Sequence, residues 1–279
     1  MAQMSREEVE RAVRAGPTLR GRDLREIRLE GADLQGAVLE RCNLSEARLA
    51  GARLDAALLV DCNFTQAGLA GATLREAMLK GCNFADADLG ETLLVEASLS
   101  QLSLEHTRLR EANLAHAFLS DVQATLADLR GANLQRTLLA GCSFVLCQLD
   151  DCQWEFAQAQ RTDFTGSVLN GARFDRAVLL GANFSLAHLE GASLRGCPMN
   201  NANFFAAHLR AALFTKSNME GCHLLHVDAE GAVLDKVNLR KAFLAEGNFT
   251  GALFDGAYLA EAVTDGADFE GASMEGVKR

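Results

Sequence analysis

Eight cysteines are the residues of this sequence with the widest chemistry, because thiols can bind metal ions, act as nucleophiles or form disulfides. Three of them, Cys142, Cys147 and Cys152, follow one another at intervals of five residues. That interval differs from the Cys-x2-Cys pair of common zinc sites. We therefore predict that the cysteines fill the core as small apolar side chains, in a compartment that keeps thiols reduced.

Two of the six histidines, His188 and His208, are twenty residues apart. If the chain places them side by side, the pair could bind a metal ion or respond to pH. His223 and His226 follow a short distance along the chain. Because no carboxylate or thiol with ligand spacing accompanies the pair, we interpret it as a solvated ladder and predict no metal site.

The sequence contains no recognisable catalytic constellation. It has no Gly-rich phosphate loop, no G-x-S-x-G and no His-Glu-x2-His, and its carboxylates fall at positions expected to face solvent. A carboxylate in water keeps an ordinary pKa and gains no catalytic role. We predict a protein that is not an enzyme, with no catalytic residues and no cofactor.

A repeat of five residues must position all of these side chains. Leucine or phenylalanine recurs every fifth residue from Leu34, with alanine or cysteine two places earlier and no change of phase. In an extended backbone these two side chains share one face and the residue between them takes the other. Each repeat therefore predicts a very short strand and a corner, and glycines such as Gly31 occupy the corners.

Residue types also recur at intervals of twenty, which indicates four repeats in each turn of the chain. The phenylalanines Phe64 and Phe84 illustrate this interval, as do the cysteines Cys42, Cys62 and Cys82. Identical residues should then stack on one side, at the spacing of neighbouring strands. We call the leucine or phenylalanine position the centre of each repeat. One centre every five residues from Leu19 to Met274 predicts about 13 coils.

The repeats resemble the A-(D/N)-L-x-x signature of the pentapeptide-repeat family. Ala32-Asp33-Leu34, Cys62-Asn63-Phe64 and Ala202-Asn203-Phe204 follow the signature closely. The resemblance implies an all-β solenoid, a right-handed quadrilateral β-helix with four pentapeptides per coil. We place this repeat region at 18–275, after an N-terminal capping segment at 1–17 and before a tail at 276–279.

The N-terminal segment predicts a short helix. Ser5 and Glu8 form a capping box, Val9, Ala12 and Val13 share a face, and Gly16-Pro17 ends the helix. Such a helix would cover the first coil of the solenoid, although its arginines also make a docking arm conceivable. We expect the C-terminal coil to be either uncovered or covered by another copy or another domain, and the resemblance implies a homodimer through that end.

Composition restricts the partners. The formal net charge of −10 argues against direct binding to nucleic acid or to an anionic membrane. The sequence has neither an N-terminal signal segment nor an apolar run of about 18 residues, the length a membrane helix needs. We therefore predict a cytoplasmic protein.

Apolar residues also form a row at an outward position that is otherwise polar, and these are the candidate residues for binding a partner or a second copy. Strand propensity alone could explain such a row, but aligned exposed apolar side chains are also typical of contact surfaces. The row consists of Val38, Leu58, Met78, Phe118, Leu138, Val178 and Tyr258. A shorter row on the preceding side consists of Leu213, Val233 and Leu253.

Two functions are consistent with these features. The first is a scaffold for protein–protein interaction, and the segment from Glu8 to Leu24 is similar to lead-ins of repeat proteins linked to bacterial secretion systems such as type VI. The second is a DNA mimic, because some members of the family bind DNA gyrase or topoisomerase IV and protect them against quinolones. Arginines interleaved with the acidic residues argue against mimicry, and a continuous acidic surface would favour it.

Overall fold

The computed structural model describes residues 4–16 and 18–279, so Pro17, which was predicted to help end the first helix, lies outside the described residues. The chain divides into two compact units, Met1–Ser143 and Phe144–Arg279. We refer to them as unit 1 and unit 2 and describe each by itself.

Unit 1 begins with helix α1, Arg6–Ala15. The predicted capping box is confirmed, because the Ser5 side chain accepts from the backbone N–H of Glu8 and the Glu8 carboxylate accepts from that of Ser5. Val9 is buried, and Arg6 donates to the backbone carbonyl of Glu30 at 3.0 Å. The helix therefore packs on the first coils through one apolar side chain and one hydrogen bond.

The strands of unit 1 are short, as the repeat predicted. They form one parallel sheet in which each strand pairs with the strand twenty residues later, so that Leu39 lies beside Leu59 and Leu59 beside Leu79. The sheet order is the chain order. The strands are β1 Leu19–Arg20, β2 Val38–Glu40, β3 Leu58–Val60, β4 Met78–Lys80, β5 Ser98–Ser100, β6 Phe118–Ser120 and β7 Leu138–Ala140.

The other sides of unit 1, and the sides of unit 2, pair through single residues at the same interval of twenty. Asn43 lies beside Asn63 in unit 1, and Asn183 beside Asn203 in unit 2. Four corners separate successive partners. The predicted solenoid with four repeats per turn is confirmed.

The predicted count of about 13 coils differs from the number of turns that the extended strands form. The parallel sheet of unit 1 makes six strand pairings, which corresponds to about six turns with extended strands. In unit 2 the pairings at the interval of twenty involve single residues and continue to Lys278. The prediction counted every repeat as part of one continuous stack. In the structure the repeats divide between two units, and only one side of unit 1 has strands of two or more paired residues.

The interior of each unit consists of the predicted centres and small residues. Leu34, Leu54 and Ala52 in unit 1 are fully or almost fully buried, as are Phe184 and Ala182 in unit 2. All eight cysteines are buried, which confirms their interpretation as core residues.

Across residues 4–16 and 18–279, no helix combines the length and the apolar character that crossing a bilayer requires.

Candidate interaction surface

The outward apolar row of unit 1 lies on the parallel sheet. Its five predicted residues each begin a strand, and consecutive members pair in register where no polar residue intervenes. The inward residue next to each of them is a buried leucine, so the pleat forces these side chains outward. The five residues are Val38, Leu58, Met78, Phe118 and Leu138.

Three members of this row are strongly exposed. Relative exposure is 57% for Met78, 45% for Phe118 and 47% for Leu138, whereas Val38 and Leu58 are half-buried. Ser98 lies between Met78 and Phe118 and interrupts the row. The structure thus brings together two apolar segments on one sheet face, separated by one hydroxyl side chain.

A second outward column runs two residues further along each strand and was not predicted. It contains Val60 and Ala140, which widen the apolar surface, and Lys80, which adds a charge near its middle. At the N-terminal edge of the sheet, Arg20 donates to the Glu40 carboxylate at 2.7 Å. The face therefore combines apolar side chains with the polar residues Lys80, Ser100 and Ser120 and with an ion pair at its edge.

In unit 2 the apolar row is interrupted. Val178 is half-buried and Tyr258 is 39% exposed, and the same column carries polar residues or proline between them. The intervening residues are Pro198, Asn218 and Asn238. The interval of twenty correctly placed Val178 and Tyr258 in one column of unit 2, but these three residues lie between them.

The shorter row in unit 2 is continuous. Leu213 lies beside Val233, and Val233 beside Leu253. Leu253 is exposed and the other two are half-buried. This row is smaller than that of unit 1 and occupies a side on which the strand contacts are single residues.

Charges on both units are mixed. In unit 1, Asp128 accepts from Arg110 at 2.6 Å and from Arg130 at 2.8 Å, and in unit 2 Asp228 accepts from Arg210 at 2.6 Å. Near the start of unit 1, the hydrogen bond from Arg25 lowers the pKa of Asp23 to about 2. Several acidic side chains are thus paired with arginines.

Sequence reasoning missed a group of exposed apolar residues at the corners. Leu126 in unit 1 and Leu146 and Leu186 in unit 2 are about half-exposed, and all three have φ near +60°. Leucine rarely adopts this left-handed conformation, because its Cβ crowds the backbone. Their spacing by multiples of twenty is the signal in the sequence that marks their position.

The comparison with protein families decides the identity of the repeat. A family model described as pentapeptide repeats matches in eight copies. The matched residues are 23–59, 57–94, 92–131, 127–166, 160–196, 202–240 and 238–276. The chain belongs to the pentapeptide-repeat family. No curated protein matched the sequence of this pentapeptide-repeat protein.

Solved pentapeptide-repeat proteins are among the similar structures. HetL, from the cyanobacterium Nostoc sp. strain PCC 7120 and involved in heterocyst differentiation regulation, is 27% identical over 99% of this chain and 97% of its own, with a TM-score of 0.33. Rfr23, from the cyanobacterium Cyanothece 51142, is 27% identical over 31% of this chain and 58% of its own, with a TM-score of 0.31.

A trypsin-treated form of QnrB1, a plasmid-mediated fluoroquinolone resistance protein, is 19% identical over 63% of this chain and 90% of its own, with a TM-score of 0.38. All three TM-scores are low. Membership of the family therefore rests on the repeats themselves, and these likenesses carry no argument about function.

Proposed function

We propose that this pentapeptide-repeat protein is a non-enzymatic scaffold that binds a protein partner through the apolar face of unit 1. The observation that supports this proposal is the alignment of Met78, Phe118 and Leu138 on one sheet, each with about half of its side chain exposed. Exposed apolar side chains that stand in a row lose water together when a flat partner surface covers them.

The partner we propose is a protein. The net charge of −10 disfavours nucleic acid, and the sheet face offers apolar area with a charged edge. A second copy of the chain is the simplest partner, either on this face or at the C-terminal coil, where the inward residues Phe269 and Met274 are only half-buried. An adaptor role in a type VI secretion system rests only on the N-terminal sequence similarity.

The eight buried thiols support a reducing compartment such as the cytoplasm.

Paired substitutions test this function. We expect Phe118→Glu together with Leu138→Glu to abolish association, because each places a charge where a partner would exclude water. Both residues are exposed, so the melting temperature should stay unchanged. The matched control is Leu180→Glu with Leu186→Glu, two exposed leucines of unit 2 outside the row.

Light scattering after size exclusion reports self-association, and capture from the native host followed by mass spectrometry reports other partners. Association that is lost in the row variant and kept in the control supports the proposal. Association that survives the row variant contradicts it.

The alternative is a DNA mimic that binds DNA gyrase and protects it against quinolones. The net charge favours this alternative, whereas the arginines paired with Asp128 and Asp228 weigh against it. A gyrase supercoiling assay with and without a quinolone separates the two functions. Protection of supercoiling by the purified chain would favour mimicry over the apolar contact.

A further inference from the structure

Two histidines of unit 2 are neighbours in one outward column. His188 and His208 occupy the same outward position of successive coils and lie side by side on one side of the solenoid. Their rings are parallel to within 1°, and the ring centroids are 4.4 Å apart. The predicted stacking of these two histidines is confirmed.

A carboxylate joins the histidine pair. Glu190 follows His188 by two residues, so both side chains leave the same face of the chain. Glu190 Oε1 is 3.5 Å from His188 Nδ1. The spacing of the sequence predicted no carboxylate beside the pair and therefore no metal site, whereas in the structure Glu190 lies there.

The second carboxylate oxygen of Glu190 points to a missing ligand. Oε2 is buried and accepts no hydrogen bond from any part of the chain that the structure describes. A buried carboxylate oxygen without a partner is destabilising, because it has lost water and gained nothing in exchange. A cation at this point would remove that penalty.

The three side chains are close enough to share one ion. One nitrogen from each histidine and one oxygen of Glu190 all lie within 4.8 Å of one another. Zinc binds imidazole nitrogen and carboxylate oxygen at about 2.0–2.2 Å, so neighbouring ligand atoms of a tetrahedral ion are roughly 3.3–3.5 Å apart. Rotations of half-exposed side chains supply the remaining movement, since the His188 and Glu190 side chains are 44% and 35% exposed.

The surroundings hold the ligands and offset the nearest positive charge. The backbone N–H of His208 donates to the Ala187 carbonyl at 2.9 Å and that of Leu189 donates to the His208 carbonyl at 2.8 Å, which fixes the distance between the two coils. Arg210 lies two residues after His208, but it donates to Asp228 at 2.6 Å and approaches Glu230 at 3.5 Å. Its charge is therefore directed to those carboxylates.

We propose that His188, Glu190 and His208 bind a zinc ion, with water as the fourth ligand. Two imidazoles and one carboxylate form a ligand set that suits zinc in proteins. Binding would fix two successive coils of unit 2 to each other at a solvent-facing position. This inference is independent of the partner surface proposed for unit 1.

Calorimetric titration of the full chain with zinc chloride, after removal of metal by a chelator, tests the site. We expect one ion per chain, and we expect His208→Gln and Glu190→Gln each to weaken binding at least about tenfold, because each removes a direct ligand. The matched control is His223→Gln, which replaces an exposed histidine of unit 2 that stacks on Phe243 instead. The control should bind zinc as the unchanged chain does.

Substitution with cobalt(II) separates this site from the eight thiols. Cobalt(II) bound by nitrogen and oxygen shows only weak absorption bands in the visible range. A thiolate ligand adds intense charge-transfer absorption in the near ultraviolet. Weak bands that disappear in His208→Gln support the proposal. Absence of binding with zinc in excess, unchanged affinity in both ligand variants, an equal loss in His223→Gln, or a thiolate band would each overturn it.

Discussion

The two units follow the same repeat, yet one side of unit 1 forms a regular sheet and the corresponding side of unit 2 does not. In unit 1, three consecutive residues such as Val38–Glu40 pair with the next coil. In unit 2, the pairings on this side are single residues, such as Gln158 with Val178 and Asn218 with Asn238. A strictly constant sequence period therefore does not guarantee a constant local structure.

The residue that follows the corner explains the difference. In unit 2, the backbone N–H of Ala182 donates to the Leu179 carbonyl at 3.0 Å, and Ala202 donates to Met199 at 3.0 Å, which closes a tight turn. In unit 1 the corners after β2 to β7 lack this hydrogen bond and the chain bends more widely. The residues that follow those corners are larger than alanine: Cys42, Cys62, Cys82, Leu102, Val122 and Cys142.

A large residue after the corner also lengthens the hydrogen bond in those turns that do close. The equivalent hydrogen bond is 3.3 Å at Thr137 and 3.4 Å at Thr162. Cys222 still closes its turn at 3.1 Å, and it is preceded and followed in its column by Ala202 and Ala242. The corner thus opens where large residues stack in successive coils, and the wider corner leaves room for a three-residue strand.

The units also differ in what fills the interior. Unit 1 is filled mainly by leucine, with one stacked pair, Phe64 and Phe84, at 4.7 Å. In unit 2, aromatic rings stack along one column and meet the next column edge to face, as Trp154 meets Phe164 at 5.4 Å. Such pairs add stabilisation beyond the apolar area that they bury.

The largest expected effect comes from the aromatic core of unit 2. We expect Trp154→Ala to lower the free energy of unfolding by about 3–5 kcal/mol, because it leaves a cavity among three neighbouring rings. Phe84→Ala in unit 1 should cost less, since Phe84 stacks on Phe64 alone. Urea denaturation followed by circular dichroism measures both.

Trp154→Phe is the control for that comparison. It keeps a ring and removes an indole N–H that is buried without a hydrogen-bond partner, so we expect a much smaller loss. If Phe84→Ala costs as much as Trp154→Ala, the aromatic contacts do not distinguish the units.

The buried thiols test whether the open corners of unit 1 admit solvent. Burial raises the pKa of Cys222 in unit 2 to about 12, and it also raises the pKa of Cys142 in unit 1. We expect iodoacetamide at pH 8 to leave both residues unmodified until denaturant is added, as mass spectrometry would show. Faster labelling of Cys142 than of Cys222 would mean that unit 1 opens more readily.

Raised pKa values of the buried thiols also predict that the free energy of unfolding depends on pH. The unfolded chain releases thiol protons above about pH 9, whereas the folded chain keeps those of Cys197 and Cys222 until about pH 12. Stability from the neutral buried thiols is therefore complete below pH 9 and decreases as the pH rises through this range. Unfolding measured by urea at increasing pH gives the slope, and a flat profile would contradict the burial of these thiols.

The smallest expected effect compares the corners that both units share. Gly31 in unit 1 and Gly191 in unit 2 have φ of 63° and 66°, and an added Cβ would meet no atom within 4 Å. We expect Gly31→Ala and Gly191→Ala to cost about 1 kcal/mol each, through backbone strain alone.

Gly68→Ala is the control for those corners, because Gly68 lies on a side of unit 1 with open space and no left-handed φ. It should leave stability unchanged or raise it by about 0.4–1 kcal/mol. Thermal unfolding gives all three values. Different costs at Gly31 and Gly191 would show that the corners of the two units are not equivalent.

The spacing of residues in the sequence predicted much of the interaction surface. The interval of twenty placed Phe118 beside Leu138 and His188 beside His208, because residues in equivalent repeats must face the same side. It did not reveal that Met78 is more exposed than Leu58, or that polar residues separate Val178 from Tyr258. The exposure of a side chain depends on the residues in neighbouring columns, whereas the interval of twenty describes each column separately.

The sequence by itself determined the period, the inward residues and the helix cap at Ser5, because each follows from side-chain alternation or a local hydrogen bond. Only the tertiary structure decided the division into two units, the corners that open after β2 to β7 and the meeting of Glu190 with His188 and His208. These features depend on how the side chains of successive coils fit against one another, and a repeat of five residues does not encode that fit.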